Sequence, residues 1–506
     1  MSPISEGYLT LRVALIFLTF ISLTAIASPP SLTNKTDNHY IVVFKDELFD
    51  QSSSISTSSA PVSKKSLSLI LAFPKLVSRL AIAYKIQVTH TYLHALHGFA
   101  AEIPPHVVAR LQEDPQVAFV EPDLVVQKFP NIPSKTVEPP TAGPTPTDPT
   151  NPSPPTVVDP PTAGPPAPPS PYNTQFIPFG IQRMKALNNP TANIDGKDDR
   201  VDVDVAVIDS GVDPSHPDLN VVQSVNFSTD DDSNDLDGHG THVAGTIGAL
   251  DNQIGVVGMA PGARIWSVKV LDKEGKGRIS GIAKGIDYVT EHADKIGVAN
   301  MSLGSVGISR TLHKAIKNSV NAGVFYAVAA GNETQDVYGE DGVYGTPDDI
   351  IPASYPEVAA VSAMCDTDGK PGGQGPLSRN MELDDTLASF SNYSTNVIGQ
   401  HPVTSKGASI DLAAPGVQIL STTKGGAYAT FSGSSMASPH IAGLAALYIA
   451  QYGRARSRYG VDRIRQTLID FSESQRLWNR ENSTFDPDGH PEGLGDAEAI
   501  GRLGSP

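Results

Sequence analysis

The sequence predicts an α/β protein: a parallel β-sheet flanked by helices on both faces, preceded by a small α+β domain of ferredoxin-like plan. Three observations carry this. From Tyr172 onward, apolar β-rich runs alternate with helical ones; such alternation builds parallel sheets covered on both sides. Residues 39 to 128 order themselves as strand, helix, two strands, helix, strand. Between the two, residues 129 to 171 are dense in proline and repeat "PPTAGP" at 139 and 160, so this stretch reads as an extended linker without a core.

Taken in order, Arg12 precedes the apolar run "VALIFLTFISLTAIA", which ends in Ala25-Ile26-Ala27. The run is short for a membrane span and its end suits signal peptidase, so residues 1–27 are expected to be removed from a secreted or vacuolar product. A retained anchor is the alternative, disfavoured by the small residues. In the small domain, Tyr40–Phe44, Gly98–Ile103 and "QVAFVEPD" read as strands, with helices near 66 to 84 and 105 to 113. In the large domain, "VDVDVAVI", "RIWSVKVL", "VANMSLG" and "VFYAVAAGN" are strand-like, and "GIAKGIDYVTEHA" and "TLHKAIKNSVNAG" helical. The "GHPEGLGDAEAIGRL" stretch reads as a last helix of the unit 172–506.

The chain has 506 residues, a 39% hydrophobic fraction and a formal net charge of −17. The charge argues against nucleic acid or an anionic membrane as a partner. The single cysteine, Cys365, excludes an intrachain disulfide and reads as a small buried hydrophobe.

Chemistry-capable residues gather at strand ends, where sites form in parallel sheets. "DVAVIDSGVD" ends a strand at Asp209, "DGHGTHVAGTIGA" opens a helix at His239, and "FSGSSMASPHIAGL" places Ser435 at the mouth of another. Aspartate, histidine and serine make a workable nucleophilic triad. Asn332, closing "FYAVAAGN", could donate to a developing oxyanion. Each alone has a plainer reading as a turn, cap or helix-entry residue. His239 and His242, three apart, lack a third ligand or an HExxH pattern.

The motifs "DSG", "DGHGTHVAGT", "NMSLG", "AAGN" and "GSSMASP", in that order, resemble those of the subtilisin-like serine proteases, the subtilases. The resemblance covers residues 172 to 498 and implies a serine endopeptidase with Asp209 as orienting acid, His239 as general base, Ser435 as nucleophile and Asn332 as oxyanion donor. Ser434 stands where the family usually has threonine. Residues 39–128 resemble the family's I9-type inhibitory prosegment, whose tail, "PDLVVQKF", would block the cleft.

The resemblance further implies that peptide substrates add a strand between Gly275–Gly277 and Ser302, Leu303 and Gly304, and that Ala329, Ala330 and Gly331 wall the first pocket. A roomy apolar pocket favours large hydrophobic side chains. The acidic loop with Asp336, Glu340, Asp341, Asp348 and Asp349 leaves a basic preference, a calcium loop or a merely solvated segment as alternatives. "ALDNQIGVVG" resembles the family's calcium loop, with carbonyls of Leu250, Ile254 and Val256, the side chains of Asn252 and Asp218, and Gln175 as implied ligands.

The long linker suggests that Gln175 can reach this site before any cleavage, since an extended chain covers about 3 Å per residue. Processing is expected at Phe129, although Pro130 follows it, or at Tyr172. Asn34, Asn226, Asn300, Asn332, Asn392 and Asn482 lie in Asn-x-Ser/Thr sequons; Asn300 and Asn332 should be bare, while Asn226, Asn392 and Asn482 are open to glycosylation. The expected product is a monomer that cuts proteins or peptides and is held by its own prosegment. A non-catalytic peptide-binding scaffold competes with this reading, and esterase or transpeptidase chemistry is a minor variant.

Overall fold

The computed structural model describes residues 38–49, 64–132, 174–394, 410–472 and 493–494. The expected signal peptide, most of the linker, Tyr172, Asn34 and Asn482 lie outside these residues.

The small amino-terminal domain consists of β1 (His39–Phe44), α1 (Lys64–Tyr84), β2 (Gln87–Tyr92), β3 (Gly98–Glu102), α2 (Pro105–Gln112) and β4 (Val117–Pro122). The antiparallel sheet runs β2-β3-β1-β4, as the strand-helix-strand order predicts. Alternate side chains of a strand face opposite ways, and β1 uses both faces. Val42 and Phe44 join Phe73, Val77, Leu80, Val107 and Leu111 in the domain's own core. Ile41 and Val43 join a second, much larger core that is continuous with the large domain. A further strand, β5 (Val125–Lys128), leaves the domain as its tail.

The large domain contains α3 (Phe179–Arg183), β6 (Asp204–Asp209), β7 (Val221–Asn226), α4 (His239–Gly248), β8 (Arg264–Lys269), β9 (Lys276–Arg278), α5 (Ile279–Glu291), β10 (Ile296–Met301), β11 (Leu303–Val306), α6 (Arg310–Asn321) and β12 (Phe325–Ala329). It continues with β13 (Ile350–Ile351), β14 (Ala359–Cys365), β15 (Thr386–Leu387), β16 (Ile410–Pro415), β17 (Ile419–Thr423), β18 (Ala427–Phe431), α7 (Ser434–Tyr452), α8 (Arg458–Asp470) and β19 (Gly493–Leu494). The main sheet runs β19-β16-β14-β12-β10-β6-β8-β7, with β15 pairing antiparallel to β14. All other pairings in it are parallel.

The order explains where a site can form. From β6 the chain builds one way through β8, then returns to build the other way through β10, β12, β14 and β16. The crevice at the carboxyl ends of β6 and β10 is the switch point of such a sheet. Central strands bury both faces and read as continuous apolar runs; β10, β12 and β14 are buried throughout. Helix α7 is buried from Ser434 to Ile449, as suits a helix inside a core.

One stretch differs from expectation. Within "GHPEGLGDAEAIGRL", Gly493–Leu494 forms a short strand parallel to β16, beside Leu412 and Ala413. The free edge of β16 supplies backbone partners there, and edge pairing overrides helix-forming composition. The rest of that stretch lies outside the described residues.

Candidate active site

Asp209 is the last residue of β6 and is fully buried. Its Oδ1 accepts from the Ser210 amide at 2.7 Å and lies 2.8 Å from His239 Nδ1. His239 is the first residue of α4, held there by two carboxylates of the preceding turn. Asp235 accepts from the Gly238 and Thr241 amides, and Asp237 accepts from the His239 amide at 3.2 Å. With Nδ1 donating to Asp209, Nε2 is left as the basic nitrogen; it is buried and has no hydrogen-bond partner.

Ser435, the second residue of α7, donates its hydroxyl to the Ser302 carbonyl at 3.4 Å. Three residues pin the start of this helix. Ser302 Oγ donates to the Ser435 carbonyl, Asn300 Nδ2 donates to Ser302 Oγ, and Ser438 Oγ donates to Asn300 Oδ1. Asn300 is thereby fully engaged, in keeping with a bare sequon.

Asn332 lies three residues past β12, beyond Ala329, Ala330 and Gly331. Its Oδ1 accepts from the Ser434 amide at 2.8 Å, which turns Nδ2 toward the cleft. Ser434 also accepts from the Gly331 amide through its hydroxyl, so serine keeps the hydroxyl function expected at this position. Two residues that sequence reasoning missed support the segment from behind. Glu333 accepts from the Asn332 amide and from Asn392 Nδ2, and Asn392 Nδ2 also donates to the Ala330 carbonyl. Asn392 is fully buried, so its expectation as a glycan acceptor is corrected: its amide is an internal brace and its sequon is inaccessible.

The cleft is filled by the chain itself. β5 lies between β11 and β9 and pairs antiparallel with both: Leu303 and Gly304 face Lys128 and Gln127, while Gly277 and Lys276 face Val126 and Gln127. The Lys128 amide donates to the Gly275 carbonyl at 2.9 Å. Both predicted edges thus bind one extended strand. Gly304 shows why glycine is needed: a Cβ there would stand 2.4 Å from Phe129 Cζ. Phe129 is 5% exposed, and its ring occupies the space next to that glycine.

The tail does not stop at Phe129. Asn332 Nδ2 donates to the carbonyl of Pro130 at 2.9 Å, and the Ile132 amide donates to the Ser432 carbonyl. The ring against Gly304 and the carbonyl on Asn332 Nδ2 therefore belong to successive residues, Phe129 and Pro130.

The predicted calcium-loop residues also converge. Asp218 is fully buried and accepts from Val256 N at 3.0 Å and Asn252 Nδ2 at 3.0 Å, and its carbonyl accepts from Leu250 N. Ile254 N donates to Asn252 Oδ1, and Gln175 Oε1 accepts from Asn252 N and Gln253 N. Burial pushes the Asp218 carboxyl up to about 7, against the opposing effect of these donors. Sequence reasoning missed Asp251, which receives Gln175 Nε2 and the Asp195 and Gly196 amides; nothing but its place beside Asn252 signalled it. The acidic loop, by contrast, ties down its own backbone. Asp348 accepts from Glu340 and Asp341 amides, Asp349 from Gly345 N, and Asp336 from Tyr338 N.

Two further residues have structural tasks. His242 is buried, with Nε2 on the carbonyls of Ile419 and Ala429 and its ring stacked on Phe431; burial lowers its pKa to about 3, so it stays neutral. Cys365 is buried, and desolvation pushes its thiol well above its ordinary range.

Residues 201–488 match the Subtilase family, Peptidase S8, and residues 39–128 match Peptidase inhibitor I9. Subtilisin E of Bacillus subtilis is 33% identical over 392 residues, covering 77% of this chain and 79% of that protein. Subtilisin of Bacillus pumilus is 38% identical over 302 residues, 59% of this chain and 94% of that protein. A thermostable alkaline protease of Halalkalibacterium halodurans is 38% identical over 295 residues, 58% of this chain and 68% of that protein. The chain belongs to the subtilase family of serine endopeptidases and carries an I9-type inhibitor prosegment ahead of its catalytic domain.

Proposed function

We propose that the chain is the self-inhibited precursor of a secreted endopeptidase in which Ser435 attacks the peptide carbonyl, His239 takes and returns the proton, Asp209 holds the imidazole, and Asn332 stabilises the oxyanion. The observation that carries this reading is the extended strand from Val125 to Lys128, seated between both cleft edges with Phe129 beside Gly304. Asp209 keeps the Nδ1 proton of His239 in place, which leaves Nε2 free to act as base. For the attack, Ser435 Oγ gives up its contact with the Ser302 carbonyl and passes its proton to that nitrogen. Asn332 Nδ2, already aimed by Ser434, then meets the tetrahedral oxyanion. The buried Phe129 favours a large hydrophobic residue in the first pocket over a basic one, and no carboxylate of the acidic loop is needed to explain it.

The tail is held as an inhibitor. Pro130 has no N–H, and its carbonyl, not that of Phe129, sits on Asn332, so the bond after Phe129 is out of register with the oxyanion donor. Processing in the linker, with Tyr172 the candidate boundary, fits this better than processing at Phe129.

Calcium fits the loop built from Gln175, Asp218, Leu250, Asn252, Ile254 and Val256. The set supplies hard oxygen atoms around a buried carboxylate whose neighbours are amides and a tyrosine hydroxyl. The bound ion would contribute positive charge that stabilises the loop and takes no part in the reaction. Gln175 holds this loop while Ile132 is still in the cleft, which supports calcium binding before cleavage. A Ser435→Ala precursor should therefore bind calcium as tightly as the mature enzyme; much weaker binding, read by calorimetry, would refute the idea.

Export rests on the amino-terminal apolar run, and among the described residues no helix is long and apolar enough to cross a membrane. The deciding experiment is the amino-terminal residue of the secreted protein for wild type and Ser435→Ala. Wild type trimmed and the variant whole means self-processing. Identical trimmed ends in both mean another protease matures it, and an uncut wild type would favour the binding-scaffold reading.

A further inference from the structure

Lys128, immediately before the residue in the first pocket, makes the one ion pair between the tail's side chains and the cleft among the described residues. Its Nζ lies 2.5 Å and 2.6 Å from the two oxygens of Asp237. The two side chains are 22% and 11% exposed, so solvent screens the pair only in part. The aliphatic stem of Lys128 crosses Gly275: a Cβ there would lie 2.7–2.8 Å from its Cγ, Cδ and Cε. Gly275 also has φ +71°, where a side chain would be strained. The carboxylate is fixed from behind, since Asp237 Oδ1 accepts from the His239 amide and the Asp237 amide donates to Asp235. A flat glycine floor, a fixed carboxylate at its end and an antiparallel backbone beside it form a subsite with a definite chemistry.

We propose that Asp237 is a specificity-determining residue that selects lysine or arginine at the second substrate position, next to a large hydrophobic residue at the first. The inference rests on the protease reading and adds to it. The prosegment occupies this subsite in cis with the side chain that the subsite prefers, so Lys128 reports on substrates as well as on inhibition. An acidic residue at the same position would meet Asp237 without a counter-charge and be rejected.

The test uses the full chain, matured, with four peptide nitroanilides patterned on its own tail: Val-Gln-Xaa-Phe-p-nitroanilide with Xaa lysine, arginine, alanine or glutamate. The kcat/KM for lysine and arginine should exceed that for alanine about 10-fold, with glutamate below alanine, as befits a close, partly desolvated charge pair. Raising salt from about 20 mM to about 500 mM should shrink that ratio several-fold. Asp237→Asn should bring it to about one, and Asp237→Lys should favour glutamate, both from loss or reversal of the same charge pair.

Equal rates for all four peptides on the wild type, or a ratio that survives Asp237→Asn, would overturn the proposal while leaving the protease reading intact. Should the variants not mature, the wild-type ratio and its salt dependence decide alone. Release of nitroaniline from none of the peptides would refute the protease reading itself.

Discussion

The prosegment touches the catalytic domain in two ways, and they differ in kind. Its folded body docks on helix ends. Glu121 receives the amides of Arg310 and Thr311 and the Ser309 hydroxyl at the start of α6; Asp123 receives Ser280 N and Oγ at the start of α5. In the other direction Asp287, on α5, receives three successive prosegment amides, Leu93, His94 and Ala95, at 2.6–3.0 Å. The tail instead relies on strand pairing, one ring and one ion pair. Carboxylates at helix starts are favoured by exposed N–H groups and the helix dipole, and none of these contacts reaches the reacting atoms. The carboxylate contacts at a distance from the site thus belong to the body, and the contacts along the cleft belong to the tail.

Four substitutions would sharpen or break that division. Asn332→Leu tests the tail side at its chemical end: kcat should fall about 100- to 1,000-fold, the usual cost of one oxyanion donor, while the body's contacts are untouched. Steady-state turnover of the matured enzyme measures it. Asp287→Ala tests the body. It strips three backbone amides of their partner, at about 1–3 kcal/mol for the buried donors together, so the inhibition constant of the prosegment should rise about 10- to 100-fold with kcat unchanged. An unchanged inhibition constant would mean that the tail carries the affinity.

Pro130→Ala probes the junction between them. Restoring an N–H after Phe129 should let the tail slide into register and yield protein that begins at the substituted alanine, read by amino-terminal sequencing. If wild type already begins at Pro130, the proline is no brake.

The same division separates what the sequence made legible from what it hid. The prosegment's βαββαβ order and the parallel sheet follow from periodicity, because each strand's burial is dictated by its own side chains. The residues Asp209, His239, Ser435 and Asn332 stood out because they sit in glycine-rich turns at strand and helix ends. Contacts made by one residue on a distant one left no local pattern. Asn392 looked like a glycan acceptor, yet it braces the Asn332 segment through Ala330, 62 positions away. Asp237, two positions before His239, carries no local sign of its pairing with Lys128, 109 positions away. The acidic loop carried charge in plain view, but its carboxylates close local turns.

The smallest effect concerns pH. His90, on β2, lines a cavity at the interface with Val125, Arg278 and Ser280, and burial first, then Lys284, lower its pKa below 6.5. A base with a lowered pKa resists protonation in the docked state. Above about pH 6.5 the imidazole is neutral whether docked or free, and docking carries no cost from it. As pH falls below that value, the released prosegment takes up a proton that the docked one refuses, so docking weakens, by at most about tenfold per pH unit for one group. Asp123 acts the opposite way: burial raises its pKa, so docking holds its proton better and gains as pH falls toward the ordinary carboxylate range. The two contributions overlap, and the total pH dependence alone cannot identify either. The difference can. The inhibition constant of the prosegment measured from pH 7.5 to 5 (about two units around the histidine range) should weaken more steeply for wild type than for His90→Gln. Parallel curves would assign the acid sensitivity to other groups and remove His90 from the docking account.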